Sequence, residues 1–313
     1  MDVSLVQSCK RYFNWIVMTF LIVLPLLETD AYVLHLLILS LVFATLTASW
    51  NVLFGFMGVY SFGHQSFFGL GAYITAILVT RTGVSPWFSM IVGGLGATLI
   101  SLVISWPTFR LRGPYVAIVT LAFAEILRIT CSNWVSLTRG QMGLSVPGIF
   151  VGTTRIPYYY VALAVFWLTW IVISKAMHSP LGLAVIGIRE SQEAAESIGV
   201  NVVMFKRFGF VVTSFLAGIV GAFYAHYIGI LTPDIMGTGI IFGVLVMGLF
   251  GGIGTLEGPV VGAFVLTFLA EYLRTFGNFR FLVYSIIIGI IVLFMPGGMV
   301  GWIARLKVFD RGK

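Results

Sequence analysis

Residues 32–54 read YVLHLLILSLVFATLTASWNVLF, a stretch with no Asp, Glu, Lys or Arg. A helix that crosses the hydrocarbon core of a bilayer needs about 20 mostly apolar residues, so this stretch is predicted to span a membrane. The whole chain has the same character, because 59% of its 313 residues are hydrophobic and only 9% are charged. Soluble domains contain about 25% charged residues. The composition therefore excludes a soluble enzyme, a disulfide-stapled secreted scaffold and a disordered chain.

Comparable apolar stretches recur along the sequence and predict an all-α integral membrane protein with about ten transmembrane helices. The predicted spans are residues 13–27, 32–54, 65–80, 86–106, 114–132, 157–175, 208–228, 238–252, 259–275 and 281–297. Residues 1–313 are therefore expected to form a single transmembrane domain. Its two longest connections are residues 132–156 and 176–207.

The basic residues predict which side of the membrane each connection occupies. Twelve of the 18 Lys and Arg residues fall on the side that carries both termini, and six fall on the other side. Because cytoplasmic loops carry the excess of positive charge, both termini and residues 176–207 are expected in the cytoplasm, with residues 132–156 outside. The basic residues are scattered through short connections, which indicates membrane topology and no nucleic-acid partner.

The cytoplasmic connection contains SQEAAESIG at residues 191–199. Ser191 can cap the start of a short helix, Glu193 then lies near the positive end of the helix dipole, and Gly199 can end the helix. Capping chemistry alone leaves two interpretations open. The helix is either solvated and without a partner, or it is bound by a second protein.

The order EAAxxxG, formed by Glu193, Ala194, Ala195 and Gly199, resembles the coupling motif of bacterial ABC importer permeases. In that superfamily a short cytoplasmic helix docks in a cleft of the ATPase subunit and passes its motion to the membrane helices. Three further stretches are similar to LivM-type permeases of branched-chain amino acid importers, so that the resemblance covers nearly the whole chain. They are GVYSFGHQSFFGLGAY at 58–73, RLRGPYVAIVTLAFAEILRI at 110–129 and GLFGGIGTLEG at 248–258.

The resemblance implies a type II importer arrangement in the bacterial inner membrane, surrounded by lipid. The implied partners are a second, LivH-like permease, two ABC ATPase subunits and a periplasmic substrate-binding protein. No cofactor is expected in this chain, which lacks a GxxxxGK[ST] phosphate-binding loop, so ATP and Mg would be bound by the ATPase subunits. The implied small-molecule substrate is a branched-chain or other hydrophobic amino acid, although similar permeases also carry urea, short amides and other small organic solutes.

Seven residues are candidates for lining the translocation pathway, because glycine-rich or charged positions in membranes mark broken helices and solute contacts. They are Ser61, Gly63, His64, Gly69, Glu125, Gly251 and Gly252. The glycines are equally compatible with close helix packing. His64 and a second histidine, His226, are each predicted either to hydrogen-bond a solute or to extend to the membrane interface.

Glu125 and Arg128 are three residues apart on one predicted helix and can therefore pair. Such a pair either locks helices together or contacts the solute. No hydrolase motif or Cys/His cluster is present, so neither catalytic residues nor metal ligands are expected. The rival from another functional class is a stand-alone channel or gradient-driven carrier, whose pathway would use the broken helices and this ion pair.

Overall fold

The computed structural model describes residues 21–25, 30–111, 113–150, 152, 154–274, 286, 289 and 297–302. Most of the first predicted span, 13–27, and most of the last, 281–297, lie outside the described residues. The helices within the described part are α1 Ala31–Asn51, α2 His64–Thr82, α3 Pro86–Thr108, α4 Pro114–Asn133, α5 Val135–Thr138, α6 Ile156–Met177, α7 Pro180–Glu190, α8 Gln192–Ser197, α9 Val202–Ile228, α10 Thr238–Gly251 and α11 Gly258–Leu273. Two short strands, β1 Leu144–Ser145 and β2 Ile230–Leu231, pair antiparallel.

Five of the described helices are long and apolar enough to cross a membrane. They are α1 together with its π-helical extension to Phe56, α3, α4, α6 and α9. The helices α10 and α11 are also apolar but shorter, and α2 is a further helix of 19 residues. The prediction of an all-α membrane protein is therefore confirmed for the described part of the chain.

The predicted start of α9 at residue 208 was wrong by six residues. The helix begins at Val202, where the side-chain oxygen of Asn201 accepts a hydrogen bond of 3.0 Å from the amide of Met204. Lys206 and Arg207 were predicted to lie in the connection, before the apolar stretch begins. They lie instead within the first two turns of a helix that extends beyond the apolar stretch.

The centre of the bundle depends on small residues that let helices approach closely. A Cβ atom at Gly71 of α2 would overlap the backbone of Gly218 of α9, and one at Gly221 would overlap the carbonyl of Phe68. The helix α9 therefore packs along α2 with backbone against backbone, in the way that small residues permit in membranes. On the other side of the bundle, α1 packs against α6 and α11.

At the end of the bundle predicted to face outward, hydrogen bonds connect segments that are distant in sequence. The guanidinium of Arg155 donates to the carbonyl of Ala31 at 2.6 Å, and that of Arg81 donates to the carbonyl of Ser136 at 2.6 Å. His226, buried in α9, has Nδ1 2.7 Å from the carbonyl of Pro147. The buried imidazole therefore joins Pro147 to α9, and a solute contact or an interfacial position for His226 stays a prediction.

Candidate coupling and translocation sites

The helix predicted at residues 191–199 is present as α8. Its N-cap is Ser191, whose backbone is extended and whose Oγ accepts a hydrogen bond of 3.2 Å from the amide of Ala194. After the helix, Gly199 adopts a φ of 86°, a conformation that glycine adopts without strain, and its amide donates to the carbonyl of Glu196 at 3.0 Å. The predicted N-cap at Ser191 and the predicted end of the helix at Gly199 are therefore confirmed.

The four residues of the EAAxxxG pattern do not share one environment. Glu193, Ala194 and Gly199 are exposed, whereas Ala195 is only 5% exposed and packs with Ile188 of α7 and Val202 of α9. This small apolar cluster holds α8 against its neighbouring helices. Three of the four residues are thus available to a partner, and the fourth fixes the position of the helix.

Ile198 is a candidate contact that sequence reasoning missed. Its side chain is 80% exposed at the end of α8, beside Gly199. A large apolar residue within the most charged connection of the chain was the signal available in the sequence. We therefore add Ile198 to the candidate contacts of α8.

The predicted pathway residues before and at the start of α2 are buried within this subunit. His64 is fully buried, and its Nε2 lies 2.9 Å from Oγ of Ser49. That hydroxyl also donates to the carbonyl of Leu46 at 2.8 Å, and Nδ1 of His64 has no hydrogen-bond partner among the described residues. The hydroxyl of the buried Ser61 also lacks a described partner, while its carbonyl accepts from Trp50 Nε1 at 2.9 Å.

Gln65 joins these residues and was not singled out by sequence reasoning. It is 1% exposed, and both its amide oxygen and its amide nitrogen lack a hydrogen-bond partner among the described residues. A buried amide without partners costs free energy. The only signal in the sequence was a polar residue next to His64 at the start of an otherwise apolar helix.

The glycines predicted for the pathway contact protein. A Cβ at Gly63 would press on the carbonyl of Thr120 in α4, and one at Gly69 would overlap the side chain of Met236. A Cβ at Gly251 would overlap the carbonyl of Gly258, and Gly252 ends α10 with a φ of 125°. These contacts favour the packing interpretation for the described conformation, and pathway lining stays a prediction that requires helices to separate.

Glu125 and Arg128 form the predicted ion pair. Arg128 Nε lies 3.0 and 3.1 Å from the two carboxylate oxygens of Glu125, and the side chains are 39% exposed for Glu125 and 28% for Arg128. Both residues belong to α4, so the pair spans one turn of a single helix and does not lock two helices together. The buried residues of α4 are Val116, Ala117, Thr120 and Ala124, and the others are half-buried or exposed, with an exposed face that includes Ile118, Ala122, Ile126 and Ile129.

Among the described residues, no three His, Cys, Asp or Glu side chains come close enough together to hold a metal ion.

Comparison with known families decides the identity of this helical assembly. The family described as "Branched-chain amino acid transport system / permease component" matches residues 32–296. The chain belongs to this family. The match includes every described helix from α2 to α11 and almost all of α1, so it covers both the EAAxxxG residues of 191–199 and the predicted pathway residues. The predicted resemblance is confirmed, and the chain is a multi-pass membrane permease of the ABC importer class.

Individual relatives support the same assignment. The permease is 28% identical over 289 residues to the high-affinity branched-chain amino acid transport system permease protein LivM of Escherichia coli (strain K12), covering 83% of this chain and 68% of the relative. It is 22% identical to LivH of Salmonella typhimurium over 83% of this chain and 91% of the relative. A nucleoside ABC transporter permease of Lactococcus lactis, NupC, is 24% identical over 55% of this chain and 60% of the relative. No solved structure matched the chain significantly.

Proposed function

We propose that this permease is a transmembrane subunit of an ATP-driven importer of branched-chain or other hydrophobic amino acids in the bacterial inner membrane. The observation that carries the proposal is the family match over residues 32–296, which contains the exposed and capped helix α8. The similarity to LivM, a permease named for branched-chain amino acids, supports the choice of substrate. This chain crosses the membrane about ten times, with both termini in the cytoplasm.

The working complex contains a second, LivH-like permease, two ABC ATPase subunits that bind ATP and Mg, and a periplasmic binding protein that delivers the solute. Similarity of one chain to both LivM and LivH supports a pair of related permeases. Each ATPase subunit docks on an α8 helix through Glu193, Ala194, Ile198 and Gly199. Closure of the ATPases on ATP then moves the membrane helices and alternates access between the two sides.

The second permease covers the open face of α4. Glu125 lies near the middle of this helix, and its carboxylate and the Arg128 guanidinium are both partly exposed in the isolated subunit. A charge facing lipid near the bilayer centre costs at least about 2.5–3.5 kcal/mol on insertion scales. Protein or water therefore faces this ion pair, and the pathway runs between the two permeases beside α4. Ser61, Gly63, His64, Gly69, Gly251 and Gly252 respond to or line this pathway when the helices separate.

Two alternatives make different predictions. The same assembly could carry urea, a short amide or another small organic solute. A nucleoside is a further candidate, because the nucleoside permease NupC is similar to this chain over 55% of its length. A stand-alone channel or gradient-driven carrier would need neither ATP nor an exposed α8. Membership in a family of permease components argues against the carrier.

Uptake into proteoliposomes tests the proposal. We expect the complete complex, with its binding protein outside and ATP inside, to accumulate radiolabelled leucine, isoleucine and valine. Urea, acetamide and uridine are expected to remain at the level of liposomes without protein. Accumulation of one of these three in place of the amino acids would redirect the substrate assignment, and accumulation of solute without ATP would contradict the importer mechanism.

A further inference from the structure

Arg189 joins the region next to α8 to the turn that follows α1, the first long membrane helix. It is the second-to-last residue of α7 and lies two positions before Ser191, the N-cap of α8. Its Nη1 donates a hydrogen bond of 2.5 Å to the carbonyl of Gly55. Gly55 belongs to the π-helical turn Val52–Phe56 that follows α1. The carbonyls at the end of a helix lack partners within the helix, so this one is available to a cation.

The same guanidinium lies against the turn that joins α10 to α11. Gly254 in this turn has a φ of 73°, and a Cβ placed on it would come within 2.6 Å of Arg189 Nη1. That Cβ would also lie 3.0 Å from the Gly55 carbonyl oxygen. The two turns and the guanidinium therefore meet at one point, and only a residue without a side chain fits at position 254.

Asn51 fastens the two turns to each other. Its Oδ1 accepts a hydrogen bond of 3.0 Å from the amide of Gly254, and its Nδ2 donates to the carbonyl of Thr255 at 2.8 Å. Asn51 is 1% exposed and is the last residue of α1. We call Arg189, Gly55, Asn51 and Gly254 the inner joint, because they connect α7, α1 and the α10–α11 turn.

The stem of Arg189 also passes close to the segment after α1. A Cβ built on Gly58, which has a φ of 65°, would lie 3.5 Å from Cγ of Arg189 and 3.7 Å from its Cα. Arg189 thus runs beside the segment after α1, and its tip is held by the Gly55 carbonyl.

We propose that Arg189 is a positioning residue that transmits the displacement of α8 to α1, α10 and α11 through the inner joint. This inference rests on the proposed function, in which an ATPase subunit binds α8. Because α7 and α8 are separated only by Ser191, a movement of α8 carries Arg189 with it. The charge-assisted hydrogen bond to Gly55 then moves the end of α1, and Asn51 makes the α10–α11 turn follow.

The coupling ratio, ATP hydrolysed per solute imported, tests this proposal in the reconstituted complex. Arg189→Met keeps the length of the stem and removes the donors. We expect it to raise the coupling ratio by about tenfold, the scale of one lost charge-assisted hydrogen bond, while basal ATP hydrolysis stays close to that of the wild type. Arg189→Lys keeps one charged donor and is expected to give an intermediate ratio. Asn51→Ala should also raise the ratio, and combining it with Arg189→Met should add little, because both break the same connection.

Arg110→Met is the matched control, since Arg110 is also predicted on the cytoplasmic side but stacks on Trp106, with its guanidinium carbon 3.8 Å from the ring centroid. It should leave the coupling ratio unchanged. A wild-type ratio for Arg189→Met would overturn the proposal, as would loss of the ATPase subunits from the purified variant, which would make Arg189 a docking residue. If Arg189→Met fails to reach the membrane, Arg189→Lys supplies the measurement, and a wild-type ratio for it overturns the proposal.

The Ala194→Trp variant distinguishes an error in the proposed function from an error in the proposed role of Arg189. If Ala194→Trp leaves both the assembly and uptake intact, no ATPase binds α8 and the proposed coupling is wrong. If Ala194→Trp abolishes uptake while Arg189→Met behaves as the wild type, only the inner joint is wrong.

Discussion

Replacement of Ala194 by tryptophan is expected to lower ATP-driven uptake by at least about tenfold, equivalent to 1.4 kcal/mol or more of lost docking energy. Ala194 is exposed on α8, and its amide is held by the Ser191 cap, so the new side chain must project from the surface. A bulky group there would keep the ATPase subunit from closing on the helix. Uptake of labelled leucine, together with the amount of ATPase that copurifies, provides the measurement.

Two further variants separate docking from folding. Met204→Trp places the same bulk on another exposed position close in sequence, at the start of α9, and should leave uptake near the wild-type level. Ala195→Trp fills a buried position against Ile188 and Val202 and should reduce the yield of folded permease, because overpacking typically costs about 1–3 kcal/mol. Normal uptake by Ala194→Trp would show that α8 is a solvated helix without a partner.

The second large effect is expected at the ion pair of α4. Glu125→Leu leaves the Arg128 guanidinium without its carboxylate, on a helix whose face is otherwise apolar and partly open. An uncompensated charge in a membrane span costs about 2.5–3.5 kcal/mol on insertion scales, so both the membrane yield and uptake should fall by roughly tenfold or more. Quantitative blotting of the membrane fraction and transport normalised to protein separate the two effects.

Restoring charge balance distinguishes the interpretations of this pair. Replacing both residues with leucine should recover the membrane yield, because no unpaired charge remains. Uptake per molecule should stay low if the pair faces the pathway or the second permease, as proposed. Wild-type uptake by the double leucine variant would mean that the pair has no part in transport.

The sequence predicted local features well, because they depend on neighbouring residues. The apolar stretches gave helix positions that agree with α3, α4, α6, α10 and α11 to within two residues at each end. The Ser191 cap and the pairing of Glu125 with Arg128 were also predictable, since capping and i,i+3 spacing are short-range rules. The early start of α9 was missed, because hydropathy does not register a helix that extends beyond its apolar part.

Features that depend on distant segments could not be predicted. Asn51 and Gly254 are about two hundred positions apart, and nothing in either local pattern indicates that they meet. Likewise, the contact of Gly69 with Met236 and the bond of His226 to Pro147 exist only because the helices assemble in one arrangement. A glycine pattern alone cannot separate helix packing from pathway lining, since both require small residues.

The most direct test of the central claim, that this permease works as one subunit of an ABC importer, is purification from its native membrane in nanodiscs followed by mass spectrometry of the bound proteins. We expect a LivH-like permease and ABC ATPase chains in the purified particle, and we expect the ATPase chains to be lost from the Ala194→Trp particle. Recovery of this chain alone, active in liposomes without ATP, would contradict the assignment to an ABC importer and identify a carrier or channel.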